Sequence, residues 1–355
     1  MKKKIIPIFI PHQGCPHDCI FCNQKKITGI ETSVTPGDVK NIIDEYLTTI
    51  DKDCSIEIAF FGGSFTAIEI NTQKSLLSVA KTYVEKGIVS DIRLSTRPDC
   101  IDDEILTMLK QHNVTIIELG VQSLDEEVLK ESIRGHEAKE VYTSARLIKS
   151  YGIKLGLQMM IGLPTDTYEK CIYTAKEFVK MKPDFVRVYP TLVVKETGLE
   201  NLLNKNLYKP FTLDESINIV KNILALFYKN NTNVIRVGLQ SSEDIQIGKA
   251  ILSGPYHPAY RELVESRMII DYIEDLVIKN NIKDSVIVET NKKNISKIIG
   301  NKKSNLNYMK SKYNINLKTL EKNLDIDKLN IILDDTVVRT TIKEIYDYLY
   351  EIYDI

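Results

Sequence analysis

The chain has 355 residues, 43% of them hydrophobic and 27% charged, with a formal net charge of −1. That is ordinary globular composition, long enough for a substantial core and for one large domain with a smaller one beside it. It excludes a whole-molecule field that attracts nucleic acid or membrane, and six cysteines in this length exclude a disulfide framework.

The first ten residues imitate an export signal, but the apolar run is short and Pro7 interrupts it. Pro11-His12-Gln13 stand where a small-residue cleavage site belongs, so the stretch reads as a buried strand over 4–11. No run approaches the roughly 18 apolar residues of a membrane span. The expected compartment is the cytoplasm, with no membrane partner.

Further apolar, β-branched runs lie near 56–62, 91–96, 115–121, 154–161, 185–193 and 233–239. Amphipathic stretches over 36–50, 72–86, 102–112, 125–150, 167–181 and 213–229 alternate with them. The alternation predicts a parallel sheet covered by helices. The expected fold is α/β, a partial (β/α)6-type TIM barrel, with an open doubly wound sheet as the alternative. Residues 1–268 are expected to form this core and 269–355 a small α+β C-terminal domain. Either architecture puts chemistry at the carboxyl ends of the strands. Polar and glycine residues gather there in strand after strand: Gly62-Gly63-Ser64, Ser95-Thr96-Arg97, Gly120-Val121-Gln122 and Tyr189-Pro190-Thr191.

The loop after the first strand carries Cys15, Cys19 and Cys22 in C-x3-C-x2-C spacing, with Phe21 just before the last cysteine. Three thiolates can hold three irons of a cubic 4Fe–4S cluster and leave the fourth iron without a protein ligand, whereas four would make an electron carrier. A structural zinc site completed by His12 or His17 is the alternative.

With this spacing the chain resembles the radical SAM superfamily, whose clusters bind S-adenosylmethionine (SAM) at the open iron. Phe61-Gly62-Gly63-Ser64-Phe65-Thr66, Ser95-Thr96-Arg97-Pro98-Asp99, Glu118 to Ser123, Arg134-Gly135-His136 and Tyr189 to Val193 resemble the radical SAM domain of the Elongator catalytic subunit family. That family modifies wobble uridines in tRNA. A more distant similarity is to oxygen-independent coproporphyrinogen oxidase. The resemblance covers about residues 5–265 and implies a 5′-deoxyadenosyl radical made by reductive cleavage of SAM. It implies RNA, first of all tRNA, as substrate, and an external one-electron donor such as flavodoxin or ferredoxin.

The resemblance also implies residue roles. Cys15, Cys19 and Cys22 match the cluster ligands, and Phe21 matches an aromatic near cluster and adenine. Gly62 and Gly63 match the strand end whose backbone meets the SAM amino group, a close approach that suits glycine. Gln122 matches a SAM-contacting glutamine, and Arg134 an arginine that pairs with the methionine carboxylate. Ser95 and Gln158 stand where the tetrapyrrole enzymes have acidic residues; an amide at 158 can still hydrogen-bond a ribose hydroxyl.

Beyond the core, Tyr256, His257 and Arg261 cluster at a Pro-rich turn before a helix expected over 258–268, and with Tyr189 they are candidate substrate contacts. The tail reads as a strand at 285–290, short helices at 294–300 and 304–313 joined by Gly300-Asn301-Lys302-Lys303, and a strand near 328–333. This order resembles a minimal KH module, whose GxxG loop grips nucleic-acid backbone. Lys303 takes the second glycine position, and eight lysines and no acidic residue fall between Asn291 and Leu320. Lys302 and Lys303 are therefore candidate RNA contacts. The Elongator family carries an acetyltransferase domain after the radical core; the residues beyond 268 hold no acetyl-CoA-binding glycine motif, which leaves the co-substrate open. A small molecule or tetrapyrrole as substrate, or a non-catalytic Fe–S or RNA-binding role, are the competing readings.

Overall fold

The structure is a computed structural model that describes residues 2–10, 18–23, 34–51, 53–239, 246–334 and 336–355. Compactness groups Met1–Phe211 with Gln240–Tyr256, and Thr212–Leu239 with His257–Ile355.

The first unit is built on six strands: β1 (Lys2–Ile10), β2 (Cys54–Gly62), β3 (Asp91–Thr96), β4 (Val114–Gln122), β5 (Lys154–Ile161) and β6 (Phe185–Pro190). Each pairs in parallel with the next in chain order. Helices α1 (Pro36–Thr49), α2 (Ile70–Glu85), α3 (Asp103–Gln111), α4 (Glu126–Glu131), α5 (Ala138–Ser150) and α6 (Tyr168–Met181) fill the connections. This is the expected partial barrel. The apolar strand runs make it: Ile58, Phe60, Ile92, Leu94, Ile117, Leu119, Leu155 and Leu157 are buried, as are Ile43, Leu77, Leu106, Val141, Ile148 and Phe178 of the covering helices. Each such side chain contributes about 1.5–3 kcal/mol by leaving water. Side-chain caps set the helix starts: Thr35 and Asp38 form a capping box, and Asp102, Asp125 and Thr167 each accept from a first-turn N–H.

One expected element is corrected. The stretch 125–150 is not one helix; α4 ends at Glu131 and α5 begins at Ala138. Ile133 and Gly135 take positive φ between them, a conformation that stops a right-handed helix. The break moves Arg134 off a helix surface and into the interior, where it is buried.

The second unit has its own sheet, ordered Asn316–Glu321, Ser285–Thr290, Lys328–Leu333, Thr336–Thr341. The first two strands are parallel and the other pairs antiparallel. The helix after the turn is longer than expected, Tyr260–Lys279. Ser285–Thr290 and the helices Ile295–Ile299 and Ser304–Tyr313 fall where expected. The strand that directly follows them, Asn316–Glu321, and the C-terminal helix Ile342–Ile352 were not legible in the sequence. No described helix is long and apolar enough to cross a membrane.

Candidate functional site

Strand registers decide which residues share the concave face of the sheet. Ser95 pairs with Glu118, Gly120 with Gln158, and Gln158 with Arg187. Side chains two apart on one strand share a face. Arg93, Ser95, Glu118, Gly120, Gln158, Arg187 and Tyr189 therefore look inward together, although the sequence scatters them over 97 positions.

At the base of this face lies a buried ion ladder. Arg93 donates to Glu57 Oε2 at 2.8 Å and to Glu118 Oε1 at 2.7 Å. Arg187 pairs with the same Glu118, its Nε 2.6 Å from Oε2 and its Nη2 donating to Oε1 at 3.1 Å. Lys3 pairs with Glu57. Burial alone would lower the Arg187 pKa, but Glu118 and the Tyr189 hydroxyl hold it above its ordinary value. A Cβ on Gly156 would collide with the Phe185 ring, which lies under Arg93 at 4.8 Å. Glycine at 156 thus leaves room for a cation–π contact.

One layer up, Ser95, Gln158 and Tyr189 are half-buried. Above them, at the carboxyl ends, the predicted residues converge. Gly62 takes φ +113, and a Cβ there would collide with the Ile10 carbonyl, so only glycine closes this edge. Gly63 donates its N–H to Ile10 O at 3.2 Å. Gln122 also has positive φ, is only 8% exposed, and its Oε1 is buried with no partner among the described residues. A Cβ on Gly120 would stand 3.1 Å from Arg134 Nη2 and 3.2 Å from Gln122 Nε2. Arg134 donates through Nη2 to Gly120 O and through Nη1 to Cys19 Sγ at 3.3 Å, while its buried Nε has no partner among the described residues. Buried polar atoms without hydrogen-bond partners are costly, and this mouth holds two of them.

The cysteine loop reaches this mouth. Ile20 N donates to Ser132 O at 3.1 Å, Leu199 N to Ile20 O at 2.9 Å, and Asn23 Nδ2 to Lys195 O at 3.0 Å. Ile20 packs with Val193 and Leu199, and Phe21 lies against that apolar cluster. Cys19 is buried and Cys22 partly so; Cys15, with His12 and His17, lies outside the described residues.

Sequence reasoning gave no role to Arg97, Ser64, Thr66 and Thr96. Ser64 Oγ meets Thr96 Oγ1 at 2.8 Å and accepts from Arg97 N at 3.1 Å. Thr66 meets Thr96 at 2.5 Å. The signal was present in the Gly-Gly-Ser-Phe-Thr and Ser-Thr-Arg-Pro-Asp strings, but which hydroxyls meet depends on two strand ends lying side by side.

In the second unit, Arg261 is committed to its own surroundings. It donates to Glu265 at 2.8 Å, to Val234 O at 3.2 Å and to Tyr228 OH at 3.2 Å, and Lys297 pairs with Glu265 at 2.7 Å. His257 Nδ1 accepts from Ala259 N at 3.1 Å and its Nε2 lies 3.3 Å from the Asn301 amide. Lys302 and Lys303 are exposed and both take positive φ. Tyr256, in the first unit, donates its backbone N–H to Gly254 O at 2.9 Å.

A parallel half-barrel with the Cys19 sulfur at its mouth is the architecture expected of a radical SAM enzyme, and comparison agrees. Residues 9–178 match the Radical SAM superfamily and residues 183–269 the radical SAM C-terminal domain. The chain belongs to the radical SAM superfamily. It is 30% identical to Elongator complex protein 3 of Bos taurus over 73% of this chain and 54% of that protein. It is 30% identical to the tRNA uridine(34) acetyltransferase of Methanocaldococcus infernus over 61% of this chain and 48% of that one. The chain thus spans about half the length of the curated relatives it matches. Among solved structures, Methanocaldococcus infernus Elp3 with an N-terminal deletion superposes with a TM-score of 0.60 at 22% identity, over 76% of this chain and 64% of that one. Membership of the superfamily implies a 4Fe–4S cluster and SAM.

Proposed function

We propose that this chain is a radical SAM enzyme of the cytoplasm that modifies RNA, with tRNA as the first candidate. The observation that carries the reading is the pair of buried orphans, Gln122 Oε1 and Arg134 Nε, at the mouth that holds the Cys19 sulfur. The residues fit the implied groups. Cys15, Cys19 and Cys22 would ligate three irons and leave one open. Arg134 would meet the methionine carboxylate with the edge it has left. An ammonium donates, so at the Gly62–Gly63 edge it would be met by carbonyl oxygen, the Gly63 N–H being already used. Gln122 Oε1 would accept from the bound cofactor, and Ser95 and Gln158 would face its sugar. Phe21 would shield the adenine side.

Cluster and SAM together, when bound, supply a 5′-deoxyadenosyl radical able to take hydrogen from an unactivated C–H bond; the chain's part is to bind, orient and exclude water. Tyr189 would touch substrate from the inner face. The electron comes from an external carrier such as flavodoxin or ferredoxin. Lys302, Lys303 and His257 would contact RNA backbone from the second unit, in the manner of a KH loop. Arg261 has a weaker claim because its donors are taken.

The experiment is anaerobic reconstitution with iron, sulfide, SAM and bulk tRNA, followed by nucleoside and deoxyadenosine analysis. Deoxyadenosine together with a changed nucleoside supports the reading. Cys19→Ala should abolish both and bleach the visible absorption of the cluster. Deoxyadenosine without RNA change points to a small-molecule or tetrapyrrole substrate, and cluster without any SAM cleavage to a non-catalytic protein.

A further inference from the structure

We propose that Arg97 is a positioning residue for the iron–sulfur cluster and raises its reduction potential. The inference rests on the radical SAM reading above and concerns a residue to which that reading gives no role.

Arg97 is 3% exposed, at the carboxyl end of β3. Its guanidinium does three things at once. Nε and Nη2 grip the Asp99 carboxylate at 2.9 and 3.0 Å. Nη2 also donates to the Arg134 carbonyl at 2.6 Å, which holds the loop between α4 and α5. Nη1 turns to Cys19 Sγ at 3.9 Å, on the sulfur that Arg134 Nη1 approaches at 3.3 Å. Two buried guanidiniums therefore converge on one cluster ligand. At 3.9 Å the Arg97 contact is long for a hydrogen bond, so its main effect is that of a fixed positive charge in a site of low dielectric.

Such a charge has a defined consequence. Reduction adds one electron to the cluster, and a cation beside a ligand sulfur stabilises the more negative reduced state. Asp99, whose charge is opposite and lies on the other edge of the guanidinium, opposes this. The pair is an adjustable charge: removing the arginine and removing the carboxylate must move the potential in opposite directions. A bracket that merely holds the loop predicts no such opposition.

The test is an EPR-monitored redox titration of the anaerobically reconstituted 355-residue chain without SAM, at matched iron and sulfide content. Arg97→Gln is expected to shift the midpoint negative. Asp99→Asn, which keeps the Arg97 charge and removes the Asp99 charge beside it, is expected to shift it positive. Arg97→Lys keeps the charge and should lie closer to wild type than Arg97→Gln does. If Arg97→Gln loses its cluster, Asp99→Asn decides alone by a positive shift. Shifts of the same sign, unchanged midpoints, or loss of cluster from all three variants overturn the proposal. A wild-type chain that takes up no 4Fe–4S cluster overturns instead the reading on which it rests, and the proposal with it.

Discussion

The base and the mouth of the half-barrel are built from the same residue types and treat them in opposite ways. At the base, Glu57, Arg93, Glu118 and Arg187 pair charge against charge across four strands. At the mouth, Gln122 and Arg134 are buried too, but the Arg134 guanidinium meets the Cys19 sulfur and the Gly120 carbonyl rather than a carboxylate. A buried charge costs several kcal/mol unless it is paired, and a buried orphan costs about 1–3 kcal/mol. Among the described residues, orphaned atoms occur at both levels, Arg93 Nε in the ladder and Gln122 Oε1 and Arg134 Nε at the mouth, but in the ladder each guanidinium is met by a carboxylate. Ion pairing is the mark of the scaffold; a buried guanidinium left to a sulfur and a carbonyl is what a site for an anionic group would show.

The largest expected effect breaks the scaffold side of that contrast. Glu118→Gln removes the negative charge that lies between Arg93 and Arg187 and leaves two buried guanidiniums facing each other. Removing one partner of a buried pair costs about 3–5 kcal/mol, so the denaturant midpoint should fall steeply. A variant that unfolds at the wild-type midpoint would show that the ladder is not holding the strands in register.

Gln122→Ala sharpens the other side. If its orphan oxygen waits for a ligand, the cost should appear in binding rather than folding. A hydrogen bond to a charged group is worth about 1.5–3 kcal/mol, roughly ten- to a hundredfold in affinity. Equilibrium binding of SAM to the reconstituted protein should weaken by that factor, with thermal unfolding of the apoprotein close to wild type. The converse, unfolding with unchanged SAM affinity, would place Gln122 with the scaffold.

The contrast also explains what the sequence made legible. The strands were readable because the positions alternating with the concave face are apolar and β-branched, and six of the runs proved to be consecutive parallel neighbours. The mouth was readable in outline, because glycines such as Gly62 announce a close backbone approach. The ladder was not. Glu57, Arg93, Glu118 and Arg187 lie on four strands, and only the strand register, with a bulge between Ile92 and Arg93 and another between Gly120 and Gln122, brings them to one level. The break after α4 was missed for a related reason. The apolar period of 125–150 continues across Gly135, and the burial of Arg134 that rewards the break is a tertiary gain no local pattern records.

Asp166 stands between the two cases and gives the smallest effect. Its carboxylate, just past the end of β5, accepts from Gly162 N at 2.8 Å and from the Cys171 thiol at 3.1 Å, with Lys170 acting only at longer range. Burial pushes its pKa from 3.8 up to about 6, and burial, then Asp166, pushes the Cys171 thiol up as well. Below the unfolded value both states carry the proton, and above pH 6 neither does. In between only the folded state holds it, so this group's contribution to stability is full at low pH and falls as pH rises from about 4 to 6. The carboxyl is still partly reached by water, which reduces the effect to about 1–2 kcal/mol. Asp166→Asn keeps an acceptor and removes the titration. Chemical denaturation across pH 4 to 6 should therefore show wild type losing stability relative to the variant, and parallel curves would mean that hydrogen bonds from Gly162 and Cys171 satisfy the ion as fully as the guanidiniums satisfy the ladder.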